Sequence, residues 1–307
     1  MVYHTTVAIV RSLFSIMRLY TSLVLIISLS ISLVGIERSY GEVSVTVSIR
    51  PLQLIAQAIV EDRGTVHSIV DSQGSPHNYS ITPTDRINMQ QADLLLRVSP
   101  EFEIFLADIF ASQSRSKPLI TAASISGISL HNLDDANADL HLWLNTENAI
   151  SIAQQLAISL IELDPGNEKE YQEALNQFES DVALLNRSLQ NKLSQYQQPD
   201  YLVYHDAYQY FERQFGLPGG LALVQNPEVQ PSMRDLLELR NKLQVRSPSC
   251  ILLETDSDEE LVNTALENQA IKSEVVDLFG YEIDDGARGY RRLILSVANA
   301  FTNCFND

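Results

Sequence analysis

Apolar and polar positions along the 307 residues switch repeatedly between two periods. Short strand-like runs, at 43–49, 66–70, 94–98 and 118–121, predict buried strands. Between them, 52–62, 84–92 and 101–111 place apolar residues at three- and four-residue steps and predict helices. An irregular acidic loop follows, then a helix at 146–163. The alternation resumes with strands at 201–204, 222–225, 250–253 and 274–276. Helices are predicted at 207–215, 232–245 and 259–268, and from about 288. Alternating strands and helices of these lengths predict an α/β protein with parallel sheets.

One stretch breaks the alternation. From 167 to about 197 the apolar residues are Tyr171, Leu175, Phe178, Val182, Leu185, Leu189, Leu193 and Tyr196, in steps of four and three. This predicts one helix of about 45 Å with a single apolar stripe, stopping before Pro199. Such a helix suits a bridge between two lobes, and the chain is long enough for two. The expected fold is two small parallel-sheet, Rossmann-like lobes, 42–166 and 198–307, joined by a rigid backbone helix at 167–197.

Residues 1–41 stand apart. Positions 19–36 are almost wholly apolar or Ser/Thr, with Arg11 and Arg18 before them and Ser39-Tyr40-Gly41 after them. This predicts a signal peptide cleaved before Glu42, with Met17 an alternative start; an uncleaved membrane anchor is the competing reading. No cysteine precedes Cys250, so no lipobox cysteine is present to be acylated. In an oxidising compartment Cys250 and Cys304 can pair, which would stabilise the fold by about 4 kcal/mol; two buried thiols are the alternative. The formal net charge is −18, and without the three arginines and one glutamate of 1–41 it becomes −20. Such a surface repels nucleic acid and anionic lipid and concentrates cations, although acidity also serves solubility alone.

Three histidines adjoin strand-like runs where turns into helices are expected: His77, His141 and His205. Neutral imidazoles suit a borderline-soft divalent ion, zinc above all. Ligands of open parallel sheets bind beyond the carboxyl ends of the strands. His205, Glu254 and Asp277 each end a predicted strand, and His77 lies on the loop after 66–70. The four groups are therefore expected at one rim.

The residues that carry a family resemblance begin with Val47-Ser48-Ile49-Arg50-Pro51 and Gly74-Ser75-Pro76-His77-Asn78-Tyr79-Ser80, then Pro83 and Ala92-Asp93-Leu94. They continue with His141-Leu142-Trp143-Leu144, His205-Asp206-Ala207-Tyr208-Gln209-Tyr210-Phe211-Glu212 and Asn226-Pro227-Glu228-Val229-Gln230-Pro231. In this order the chain resembles the periplasmic zinc-binding proteins of high-affinity zinc ABC importers, the cluster A-I solute-binding proteins, over nearly all of 42–307. The resemblance implies a metal held between the lobes by His77, His141 and His205, a Cys250–Cys304 disulfide, and Asp277 or water as the fourth ligand. An all-imidazole set favours zinc over manganese, which prefers oxygen.

Four departures qualify what carries over. Pro76 stands where some zinc binders have a metal-reaching glutamate. Glu254-Thr255 replaces Glu-Pro, leaving Glu254 to support a ligand at most, and Asp277-Leu278-Phe279-Gly280 replaces Asp-Pro-Leu-Gly. The loop before His141 lacks a histidine-rich insert and holds only His131 with Asp134, Asp135 and Asp139, a solvated loop more than a cation site. His67, on a predicted strand, is read as structural.

The expected function is capture of Zn²⁺ in the periplasm and delivery to an ABC permease with its ATPase, by a monomer that is not an enzyme. A zinc hydrolase is the first alternative, since three histidines and a water also describe catalytic zinc. It lacks a His-Glu-x-x-His motif. A stand-alone periplasmic metal chaperone is the second.

Overall fold

The computed structural model describes residues 42–70, 79–133, 137–196, 198–225, 230–267 and 271–306. The expected signal segment 1–41, His77, Asp134, Asp135 and residues 226–229 lie outside them.

Strand β1 (Val43–Ile49) alternates Val or Ile with Ser or Thr, and all but Ser44 is buried because the strand is interior to its sheet. It pairs in parallel with β2 (Gly64–Val70) on one side and β3 (Leu94–Arg97) on the other. Helix α1 (Arg50–Val60) leaves β1 without a loop, with Pro51 in its first turn, where a missing N–H is no loss. Helix α2 (Pro83–Gln91) opens on a reciprocal capping box between Thr82 and Asp85. After α3 (Ala107–Gln113), β4 (Leu119–Thr121) completes a parallel sheet in the order β2-β1-β3-β4.

Helix α3 starts later than the expected residue 101; residues 104–106 form a 3₁₀ turn instead. The cause is Glu103, which turns inward and accepts hydrogen bonds from Val98 N (2.8 Å), Ser99 N (2.9 Å) and Ser48 Oγ. Its side chain thus ties the end of β3 to the end of β1. Burial pushes this carboxyl up to about 7, against the pull of those three donors.

A two-stranded antiparallel ribbon, β5 (His131–Asn132) with β6 (Ala138–Asp139), replaces part of the expected irregular loop. Helix α4 (Thr146–Leu163) is capped by Asn145, whose side chain accepts from Glu147 N and Asn148 N. The long helix α5 (Glu168–Leu193) spans 26 residues, about 39 Å, and ends slightly earlier than expected. Its buried face is the predicted stripe from Tyr171 to Leu193. It packs on α4 and α1, and on the last helix, α9 (Gly289–Phe305).

The second sheet follows the same plan. Strands β7 (Tyr201–His205), β8 (Leu221–Val224), β9 (Cys250–Glu254) and β10 (Lys272–Val276) run parallel in the order β10-β9-β7-β8. Helices α6 (Gln209–Phe215), α7 (Met233–Val245) and α8 (Glu259–Ala265) connect them. Cys250 at the start of β9 is bonded to Cys304 near the end of α9, with Cα atoms 5.5 Å apart. Among the described residues no helix is long and apolar enough to cross a membrane.

Each sheet reverses its strand order once, between β1 and β3 and between β7 and β9. Crevices for ligands open beyond the carboxyl ends of strands at such points. His205 closes β7 and Glu254 closes β9, so both stand at the second of them.

Candidate functional site

His205 is 2 % exposed, and its Nδ1 donates to Glu254 Oε1 at 2.6 Å. His141, 6 % exposed, follows β6 and leads into a 3₁₀ turn at Leu142–Leu144. Its Nδ1 donates to Asp139 Oδ1 at 2.9 Å, and its backbone N–H binds the same oxygen at 3.0 Å. An ionised carboxylate only accepts, so both Nδ1 atoms carry the proton of the neutral ring. Each Nε2 is then an acceptor, and the two lie 3.2 Å apart. Two lone pairs at that separation repel unless a proton or a metal ion lies between them.

The separation fits a metal. Two imidazole nitrogens each about 2.05 Å from one zinc ion and 3.2 Å apart subtend about 100°, close to tetrahedral. Carboxylates on the outer nitrogens fix the ring orientation and raise ligand basicity, as partners of metal-bound histidines do. Aromatic rings wall the pair: Trp143 meets His141 edge-on at 5.3 Å and Phe102 does so at 5.9 Å.

The surroundings are negative. Asp139 is fully buried, and among the described residues its Oδ2 has no hydrogen-bond partner. Burial, and then the charge of Asp139, raises the Asp206 carboxyl, although His205 and His141 pull it back. Burial followed by the charge of Glu254 raises Asp256. Burial alone would lower His205, but the charge and hydrogen bond of Glu254, with Asp139 and Asp256, outweigh it and raise the imidazole. Carboxylates gathered around two imidazoles in this way favour a cation.

The expected ligands are therefore brought together in part. His141 and His205 meet; His77 lies outside the described residues. Asp277 sits at the end of β10 with Oδ1 accepting from Gly280 N at 2.7 Å and Oδ2 from Glu282 N at 2.9 Å. Its turn adjoins the pair, because Trp143 Nε1 donates to Leu278 O at 3.2 Å. Among the described residues there is no cluster of three or more metal-donor side chains. His67 is exposed on β2. At His131 a cation is opposed: Arg213 Nη1 lies 3.3 Å from Nδ1, and burial, then Arg213, lowers this imidazole.

Sequence reasoning missed Asp139 as the partner of His141. The Asp-x-His spacing was the available sign, since a carboxylate two residues upstream reaches both the backbone and ring nitrogens.

The family described as "Zinc-uptake complex component A periplasmic" matches residues 45–304. The chain belongs to this family. The high-affinity zinc uptake system protein ZnuA of Yersinia pestis is 28 % identical over 292 residues, covering 85 % of this chain and 91 % of that one. A crystal structure of ZnuA superposes with a TM-score of 0.73 at 22 % identity, covering 84 % of this chain and 99 % of the other. A manganese-bound periplasmic metal-binding protein from Candidatus Liberibacter asiaticus also gives 0.73, at 20 % identity and 86 % and 100 % coverage. At such identities the two structures establish a shared fold, that of two parallel sheets and one long helix. The zinc-uptake component family thus accounts for the architecture, and the paired imidazoles occupy the rim where such a fold binds ligands.

Proposed function

We propose that this chain captures Zn²⁺ between its two sheets and delivers it to an ABC permease driven by an ATPase. The observation that carries the reading is the 3.2 Å approach of two buried Nε2 atoms, each ring oriented by its own carboxylate. His77 is proposed as the third ligand and Asp277, or water, as the fourth. Three imidazoles favour zinc over harder ions. Residues 1–41 are read as a cleaved export signal, which places the mature protein in the periplasm, as a monomer that binds no nucleic acid and performs no catalysis. The lobes are proposed as 42–166 and 198–307, with 167–197 as a rigid link that keeps their relative motion small.

Zinc competes with protons for the same lone pairs. Because His205 is raised, its imidazole takes up a proton at a higher pH than an ordinary histidine. As the pH is lowered, affinity is therefore expected to begin falling above the usual imidazole value of about 6.5. Chelator competition across that range checks it; a flat profile down to pH 5 contradicts it.

The transport role is tested in the host cell. Deleting the gene should halt growth under chelator-imposed zinc limitation, with rescue by added zinc or by the wild-type gene but not by a His205→Ala allele. Rescue by manganese, or unimpaired growth without the gene, would overturn it.

A further inference from the structure

Helix α6 begins shortly after His205, and two of its side chains reach across to the stretch that carries His141. The hydroxyl of Tyr210, a fully buried residue, donates to Asp139 O at 2.7 Å and accepts from His131 N at 3.1 Å. His131 and Asp139 are register partners in the β5–β6 ribbon, so one oxygen is bonded to both of its strands. The Tyr210 and His131 rings lie against each other with centroids 4.7 Å apart. Gln214, on the same face of α6 one turn later, makes a reciprocal pair with Thr146. Its Oε1 accepts from Thr146 N at 3.0 Å and its Nε2 donates to Thr146 Oγ1 at 2.6 Å. The segment from His131 to Thr146 is therefore held by α6 at both ends.

His141 lies between these two anchors, and Asp139 is the link to it. The Asp139 carbonyl is taken by Tyr210, while its Oδ1 accepts from both N and Nδ1 of His141. A fixed Asp139 thus fixes the place and the plane of the His141 ring. His205 is held separately, by β7 and by Glu254. The 3.2 Å between the two Nε2 atoms is therefore a distance between two independently supported rings, and α6 ties one support to the other. Burial pushes the Tyr210 phenol up to about 12, so the donor keeps its proton through the neutral range. Without that oxygen, Asp139 O and His131 N would lose this partner, and the ribbon its seat on the helix.

We propose that Tyr210 is a positioning residue for metal binding, setting the spacing of the two imidazoles by pinning Asp139, and through it the His141 ring, to the helix that follows His205. The proposal rests on the reading of His141 and His205 as ligands of one ion. Tyr210 touches no metal in this account. It acts on the backbone of Asp139, whereas the Asp139 carboxylate acts on the ring itself.

The test uses the mature protein, with Zn²⁺ affinity from chelator competition and the visible spectrum of the Co²⁺-loaded protein as a report of coordination. Wild type is compared with Tyr210→Phe, His141→Ala, the Tyr210→Phe/His141→Ala double variant and Tyr201→Phe. Tyr210→Phe keeps the ring and removes one oxygen, which leaves folding least disturbed. It is expected to lose about tenfold in zinc affinity, the lower end of what outer partners of metal ligands contribute, and to shift the Co²⁺ spectrum. Tyr201→Phe is the control. It also removes a hydroxyl from a buried tyrosine, one that donates to Glu212 Oε1 at 2.6 Å and Pro218 O at 2.7 Å, but at the other end of β7. It should lower the melting temperature and leave affinity and spectrum unchanged. The double variant should lose no more than His141→Ala alone. If His141→Ala is effective while Tyr210→Phe lowers only the melting temperature, the Tyr210 proposal fails and the ligand reading stands. Equal spectral shifts from the two tyrosine variants would trace the effect to general loosening and overturn the proposal as well. If His141→Ala itself is silent, the ligand reading fails and the Tyr210 proposal with it.

Discussion

Replacing His205 by alanine is expected to weaken zinc binding by more than a hundredfold, and replacing Glu254 by glutamine by about 10–100-fold. The ordering follows from the roles. In the proposed site His205 offers its Nε2 to the ion, whereas Glu254 only accepts the Nδ1 hydrogen bond at 2.6 Å and thereby holds the ring. Glutamine keeps an acceptor there but removes the charge that helps to raise the imidazole, so its binding profile should also move to lower pH. Affinity measured by chelator competition, after circular dichroism shows a folded variant, checks both. Equal losses in the two, or an undiminished affinity in the alanine variant, would contradict the assignment.

Removing the Cys250–Cys304 bond is expected to have the largest effect on stability. The bridge spans 54 residues and joins the first residue of β9 to the last turn of α9. Closing a loop of that size restricts the unfolded chain by about 4 kcal/mol. For a chain of this length that corresponds to a fall of roughly 8–16 °C in melting temperature. Comparing the oxidised protein with a Cys250→Ser/Cys304→Ser variant measures it. The imidazole pair lies at the opposite end of β9, beside Glu254, so zinc affinity at 25 °C should change little. A shift of under 2 °C would mean that the unfolded chain is already restricted by other means.

β7 was legible as an unbroken apolar run buried on both faces, and β1 as β-branched residues alternating with Ser and Thr. The long helix was legible from its stripe, and the packing of Tyr171 through Leu193 on neighbouring helices explains why those positions are apolar. His205 and Glu254 could be read as rim residues because each terminates a run that ends in a polar group. What escaped depends on contacts distant in sequence or on side chains that replace backbone partners. Glu103 delays α3 by capping Val98 and Ser99 from inside the fold, which no local periodicity signals. Arg50 reads as an ordinary helix-start residue until the turn at 280–283 is folded against it. The acidic loop before His141 looked irregular because a ribbon of two residues per strand is too short to display alternation.

The most direct measurement is a crystal structure of the zinc-soaked mature protein with anomalous diffraction recorded on both sides of the zinc absorption edge. A single peak about 2.0–2.1 Å from Nε2 of His141 and of His205, with the His77 ring as third ligand, is the predicted result. A peak elsewhere, or one that excludes either of the two buried imidazoles, would contradict the account.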